Sequence, residues 1–136
     1  MATSPLPEPE PEQSPYERIG GAPAIRRLAD RFYDLMEEVP RYATLRAMHA
    51  PDLAATRQSL TGFLTAWLGG PRDWFAERPG TCILSMHRAL GVTPATAAQW
   101  LHAMSRALED VEVEPALASM MRSAFARMSG AMIVRD

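Results

Sequence analysis

From Pro23 onward, apolar residues recur at three- and four-residue steps: Ile25, Leu28, Ala29, Phe32, Leu35 and Met36, with Arg26, Arg27, Asp30 and Glu37 off the stripe. That spacing lines one face of a helix with apolar side chains and predicts a helix from Pro23 to about Val39, where Pro40 stops it. A short irregular or helical piece then carries Tyr42, Leu45, Met48 and His49 to Pro51. A second long helix follows, its stripe made of Leu53, Leu60, Phe63, Leu64 and Trp67 with Thr56 on the same face, and Gly69-Gly70-Pro71 ends it. Between Pro71 and Gly91 the periodicity is poor, which predicts a loop with one or two short helical turns. Thr93-Pro94 pairs a hydroxyl cap with a proline at the first helical position and opens a third long helix through Ala97, Trp100, Leu101, Met104, Leu108 and Val111. Pro115 opens the last, striped by Leu117, Met120, Met121, Ala124, Phe125 and Met128. Neither strand-like alternation nor a repeat at solenoid spacing interrupts this series, so the fold class is all-α.

Residues 1 to 15 read differently. Their repeated prolines (Pro5, Pro7, Pro9, Pro11, Pro15) and glutamates can neither sustain a helix nor bury apolar area, so a disordered tail is expected there, with one folded domain over residues 16–136. A chain of 136 residues accommodates one such domain, large enough to enclose a cofactor.

Charge removes several function classes. All fourteen basic residues are Arg, against sixteen acids, for a formal charge of -2. No basic patch suited to nucleic acid or an anionic membrane is legible. The single cysteine, Cys82, can form no internal disulfide and has no second cysteine at metal-ligand spacing, which fits a reducing compartment. With no apolar run of membrane-spanning length and no export signal at the N-terminus, a cytoplasmic protein is expected.

The candidate chemistry lies in one histidine and its surroundings. His87 precedes a Gly break, and Trp100 follows thirteen residues later. Taken singly, His87, His49, Tyr33 and Trp100 fit hydrogen-bonded core or surface positions more readily than a site. Their order narrows the choice. Tyr16-Glu17-Arg18-Ile19-Gly20-Gly21 opens the folded part, Arg31-Phe32-Tyr33 lies in the first long helix, Trp67-Leu68-Gly69-Gly70-Pro71 ends the second, and His87 is followed by Trp100-Leu101. On these landmarks the chain from Tyr16 to its end resembles the truncated haemoglobins and, within them, the second group, the O type.

The resemblance implies a truncated globin-like two-over-two helical sandwich enclosing haem b, with the segment that bears the proximal histidine mostly extended. The Cys-x-x-Cys-His attachment motif is absent, so the haem would be held without a covalent bond. His87 is the implied iron ligand. Leu60, Phe63, Trp74, Ile83, Trp100 and Met104 are implied haem walls. Tyr33 and Trp100, then His49, are implied donors toward a bound diatomic ligand, and Thr56 stands where many globins carry a distal histidine. Dioxygen, nitric oxide or another small molecule is the implied ligand, with a reductase as partner for any turnover and a monomer or homodimer as the assembly.

The proximal segment departs from the family pattern. Members usually show Gly-His-Pro before it, a basic residue directly before the ligand histidine and Pro-Phe after it; this chain has Pro79-Gly80-Thr81, Met86 and Ala89-Leu90. Arg72, Arg78 and Arg88 are the basic residues left nearby to meet the haem carboxylates. Three functions stay open on the sequence: ligand binding at haem, a haem enzyme with nitric-oxide dioxygenase or peroxidase-like activity, and a haem-free interaction or regulatory domain.

Overall fold

Four long helices and four short ones make up a computed structural model that describes residues 13–80 and 83–133. In chain order they are α1 (Pro15–Ile19), α2 (Gly21–Glu38), α3 (Ala43–Arg46, preceded by a 3-10 turn at Pro40–Tyr42), α4 (Ala54–Trp67), α5 (Asp73–Ala76), α6 (Ile83–Arg88), α7 (Pro94–Asp110) and α8 (Pro115–Met132). The long helices coincide with the four periodic stripes. Most of the proposed tail, residues 1–12, and Cys82 lie outside the described residues. Pro15, assigned to the tail, is the first residue of α1: Ser14 caps that helix by accepting from the Glu17 N–H at 3.2 Å.

Several starts and stops have a local cause. Thr93 and Thr96 form a reciprocal capping box, with Thr96 N–H donating to Thr93 Oγ1 at 3.1 Å and Thr93 N–H donating to Thr96 Oγ1 at 2.9 Å. Gly20, at φ 109°, ends α1 in a left-handed conformation that disfavours any side chain. Tyr16 then lies flat on Gly70, where an added Cβ would come within 2.5 Å of the Tyr16 ring, and its N–H donates to the Leu68 carbonyl at 2.9 Å. The break after α4 therefore serves as the seat for α1.

α2 packs against α4 and α7, and α7 packs against α8, which gives the two-over-two arrangement of the long helices. Ile25, Leu28, Phe32, Leu35 and Met36 of α2 meet Leu64 of α4, Met104 and Leu108 of α7, and Leu117, Met121 and Phe125 of α8 in one buried core. Tyr42 is also fully buried, and its hydroxyl is matched by His102 Nδ1 at 2.5 Å. The Arg41 guanidinium donates to the other ring nitrogen at 3.2 Å, so that nitrogen accepts and Nδ1 carries the proton toward Tyr42.

The stretch after Gly70 corrects one expectation. His87 lies on the helix α6 rather than on an extended strand of chain, and α5 supplies a second short helix, the two turns that the weak periodicity had allowed. α6 is anchored on α8: the Arg88 Nε–H donates to the Ala131 carbonyl at 3.2 Å. No helix among the described residues is long and apolar enough to cross a membrane.

Candidate functional site

α2 presents Phe32 and Tyr33 in succession. Phe32 points into the core, with its ring edge-on to Trp100 of α7 at 5.3 Å between centroids and to Tyr33 at 4.9 Å. Tyr33 in turn meets the His49 ring edge-on at 5.9 Å. Three of the expected distal residues are thus linked in one run of rings, Trp100 and Tyr33 through Phe32 and His49 through Tyr33. Edge-to-face contacts of this kind fix ring orientation as well as burying area.

Tyr33 is buried, yet among the described residues its hydroxyl and the Trp100 indole N–H have no hydrogen-bond partner. Neither is sealed in packing, because among those residues Trp74 Nε1 is the one fully buried side-chain polar atom without a partner. Both donors therefore keep accessible surface beside a core that leaves them unused. Burial pushes the Tyr33 phenol above its ordinary value, with the Arg57 charge pulling weakly the other way, so the group is a protonated O–H donor.

The two histidines share one construction. His87 Nδ1 lies 2.8 Å from the Ile83 carbonyl, and His49 Nδ1 lies 2.9 Å from the Leu45 carbonyl, each four residues back. A carbonyl only accepts, so in the neutral ring Nδ1 carries the proton and Nε2 keeps a free lone pair. For His87 this is the donor a haem iron requires: a neutral ring fixed through one nitrogen and able to coordinate through the other. For His49 it modifies the expected role. Burial, then the Arg46 and His87 charges, hold its pKa below the ordinary value against the opposing bond to Leu45, so the neutral ring offers an acceptor at Nε2 rather than a third donor.

The remaining expected residues are spread over several surfaces. Leu60 and Phe63 of α4 are partly buried and pack on the core, Thr56 and Ile83 are half-buried, and Met104 sits wholly inside the core between helices. Trp74 of α5 lies across Gly62, where a Cβ would meet its Cδ1 at 2.7 Å, and edge-on to Phe63 at 5.7 Å. Of the three arginines near the proximal segment, Arg88 is engaged with α8 as described. Arg78 covers the Trp74 ring at 4.8 Å and donates to its carbonyl at 3.2 Å. Arg72 lies 5.1 Å from the Phe75 ring and has no carboxylate partner among the described residues.

Three residues that bear on the site escaped the sequence reading. Phe125 stands between Trp100 at 5.2 Å and Trp67 at 5.1 Å and joins α7 to α4; periodicity marked it as core but not as a bridge. Gly62 carried a signal, since a mid-helix glycine costs stability and usually marks a close approach. Arg57, beside Thr56, carried none in the pattern: its partners Asp30 and Asp34 lie on another helix.

Residues 14–134 match the family model described as bacterial-like globin. Over 101 residues, 74% of either chain, the sequence is 32% identical to the group 2 truncated hemoglobin YjbI of Bacillus subtilis strain 168. The fold is similar to the cold-adapted truncated hemoglobin of the Antarctic marine bacterium Pseudoalteromonas haloplanktis TAC125, with TM-score 0.87 and 28% identity over 91% of this chain and 100% of that one. It is equally similar to the group II 2-on-2 hemoglobin of the plant pathogen Agrobacterium tumefaciens, with TM-score 0.87 and 28% identity over 92% and 97% of the two chains.

Proposed function

The chain belongs to the bacterial-like globins, as a group II truncated haemoglobin, and on that premise we propose that it holds haem b through His87 and binds dioxygen, nitric oxide or a similar diatomic beside Tyr33 and Trp100. The observation that carries the reading is the pairing of His87, anchored so that its Nε2 lone pair can coordinate, with two donors that have no hydrogen-bond partner among the described residues. Bound haem supplies an iron with a coordination position for a diatomic ligand. The haem-binding domain spans residues 16–136.

The protein's part is to hold, orient and exclude water. His87 would coordinate through Nε2, its ring fixed by the Ile83 carbonyl. Leu60, Phe63, Ile83 and the indole ring of Trp100 would supply apolar wall, with Trp74 backing Phe63 and Met104 setting the floor from the core side. The Tyr33 O–H and the Trp100 N–H would donate to a polarised ligand in a site with little water, where such bonds count for more. Thr56, short and half-buried on α4, would leave room for ligand entry. His49, neutral and accepting, would orient the Tyr33 hydroxyl by ring contact rather than add a donor. Arg72, which has no carboxylate partner among the described residues, would meet a haem carboxylate on the proximal side.

Titration of the purified protein with haem tests this reading. One haem per chain should be taken up with a Soret band, and carbon monoxide or dioxygen should shift it. A donor to a charged group contributes about 1.5–3 kcal/mol, so Tyr33→Phe or Trp100→Phe should each speed dioxygen release roughly 10- to 100-fold. A folded protein that takes up no haem would overturn the proposal. Release rates indifferent to both substitutions would remove the distal assignment.

A further inference from the structure

Arg57 of α4 makes more polar contacts with α2 than any other side chain described. Its Nη1 donates to the Asp30 carbonyl at 3.0 Å and to Asp30 Oδ1 at 3.1 Å, and its Nη2 donates to Asp34 Oδ1 at 2.8 Å. The side chain is only 18% exposed, and its Cζ lies 5.9 Å from the centroid of the Tyr33 ring. Asp30 and Asp34 are one helical turn apart, and Tyr33 lies between them on α2. The guanidinium therefore spans the turn from which the tyrosine projects.

We infer that Arg57 is a positioning residue for ligand binding: by gripping Asp30 and Asp34 it fixes α4 against α2 and forms the wall that holds the Tyr33 hydroxyl at the distal face. The inference rests on the proposed role of Tyr33 and goes beyond it. Several observations support it together. The grip is a planar fork on two carboxylates and a carbonyl, a geometry Lys cannot copy. Arg26 Nε bonds the second oxygen of Asp30 at 3.1 Å, so that carboxylate is itself held in place. Arg57 directly follows Thr56 and precedes Leu60 by less than one turn, so the same clamp sets where α4 presents both. Rings close the other sides of Tyr33, Phe32 at 4.9 Å and His49 at 5.9 Å; Arg57 is the polar side. Its charge also favours loss of the phenol proton, against the effect of burial, which makes the hydroxyl a better donor.

The test uses the full chain labelled with 3-fluorotyrosine, which reports Tyr16, Tyr33 and Tyr42 as separate fluorine resonances, with Tyr33→Phe assigning one of them. Spectra are recorded without haem and on the haem-loaded ferrous carbon-monoxide complex. Arg57→Met should shift and broaden the Tyr33 resonance and leave that of Tyr42 in place. Arg57→Lys should do the same despite keeping the charge, and Asp34→Asn should do so to a smaller degree in a protein whose folding is little disturbed. In kinetics, Arg57→Met should speed dioxygen release by roughly fivefold in the wild-type background and add nothing in Tyr33→Phe. An unmoved Tyr33 resonance in Arg57→Met, or the same acceleration with Tyr33 already removed, overturns the inference. No haem uptake, or no effect of Tyr33→Phe on release, is instead the failure of the functional reading beneath it.

Discussion

Tyr33 and Trp100 project from long helices whose buried faces form one core, whereas His87 rides on a six-residue helix whose neighbours Met86 and Leu90 are 52% and 59% exposed. The proposed distal residues are held by the same packing that folds the protein: Phe32 meets the rings of both Tyr33 and Trp100, and Phe125, itself stacked on Trp67, meets Trp100, so displacing them means opening the sandwich. His87, the proposed proximal ligand, is held by a bond to its own helix and by the Arg88 tether to α8. The difference teaches that donor geometry here follows from global stability, while ligand geometry follows from a local element that can loosen without unfolding the rest. Changes to the two regions should therefore separate stability from haem affinity.

Phe125→Ala strikes the region that is both core and site. Deleting a fully packed aromatic should cost about 3–5 kcal/mol in denaturant unfolding, and Trp100, losing its edge contact, should lose its orientation as well. A cost below about 1 kcal/mol would mean that the bridge from α7 to α4 is not structural.

Gly62→Ala probes the seam between the regions, where α5 leans on α4. The new Cβ would meet Trp74 Cδ1 at 2.7 Å, and overpacking of about 1–3 kcal/mol should outweigh the helix-propensity gain of about 1 kcal/mol. With Trp74→Ala already present the sign should reverse, and Gly62→Ala should stabilise. If the substitution destabilises equally in both backgrounds, the close approach is not its cause.

Arg88→Ala confines its effect to the proximal side. Global unfolding should change by about 0.5 kcal/mol or less, as for an exposed side chain, while amide exchange within Ile83–Arg88 quickens several-fold. Equal acceleration in α7 would contradict the independence of the two regions.

The smallest effect is on pH. The folded-state pKa of His49 lies below its unfolded value, so the unfolded chain binds the extra proton first. Stability is then full above pH about 6.5 and falls as pH drops from there toward the folded pKa. His49→Gln should flatten that acid limb; an unchanged limb would show that burial of His49 does not contribute to it.

The same contrast explains what could be read before the structure. The four long helices were legible because each repeats its apolar stripe over several turns between Pro and Gly stops, and the order of Tyr33, Trp67, His87 and Trp100 pointed to the fold. α6 was legible only as one of the one or two short turns expected between Pro71 and Gly91: six residues give no period to place it, and the family pattern suggested extended chain around His87. The protonation pattern of His49 could not be foreseen, since its acceptor is a backbone carbonyl at Leu45 set by the turn between α3 and α4. Nor could the grip of Arg57 on α2, which joins residues 23 and 27 positions apart through packing that no local pattern encodes.

The central claim is that His87, and no other nitrogen in the chain, holds the haem. His87→Gly loaded with haem should lose the histidine-ligated absorption spectrum and recover it when free imidazole is added, with denaturant stability of the polypeptide nearly unchanged throughout. A spectrum identical to wild type without imidazole would place the ligand elsewhere and contradict the account.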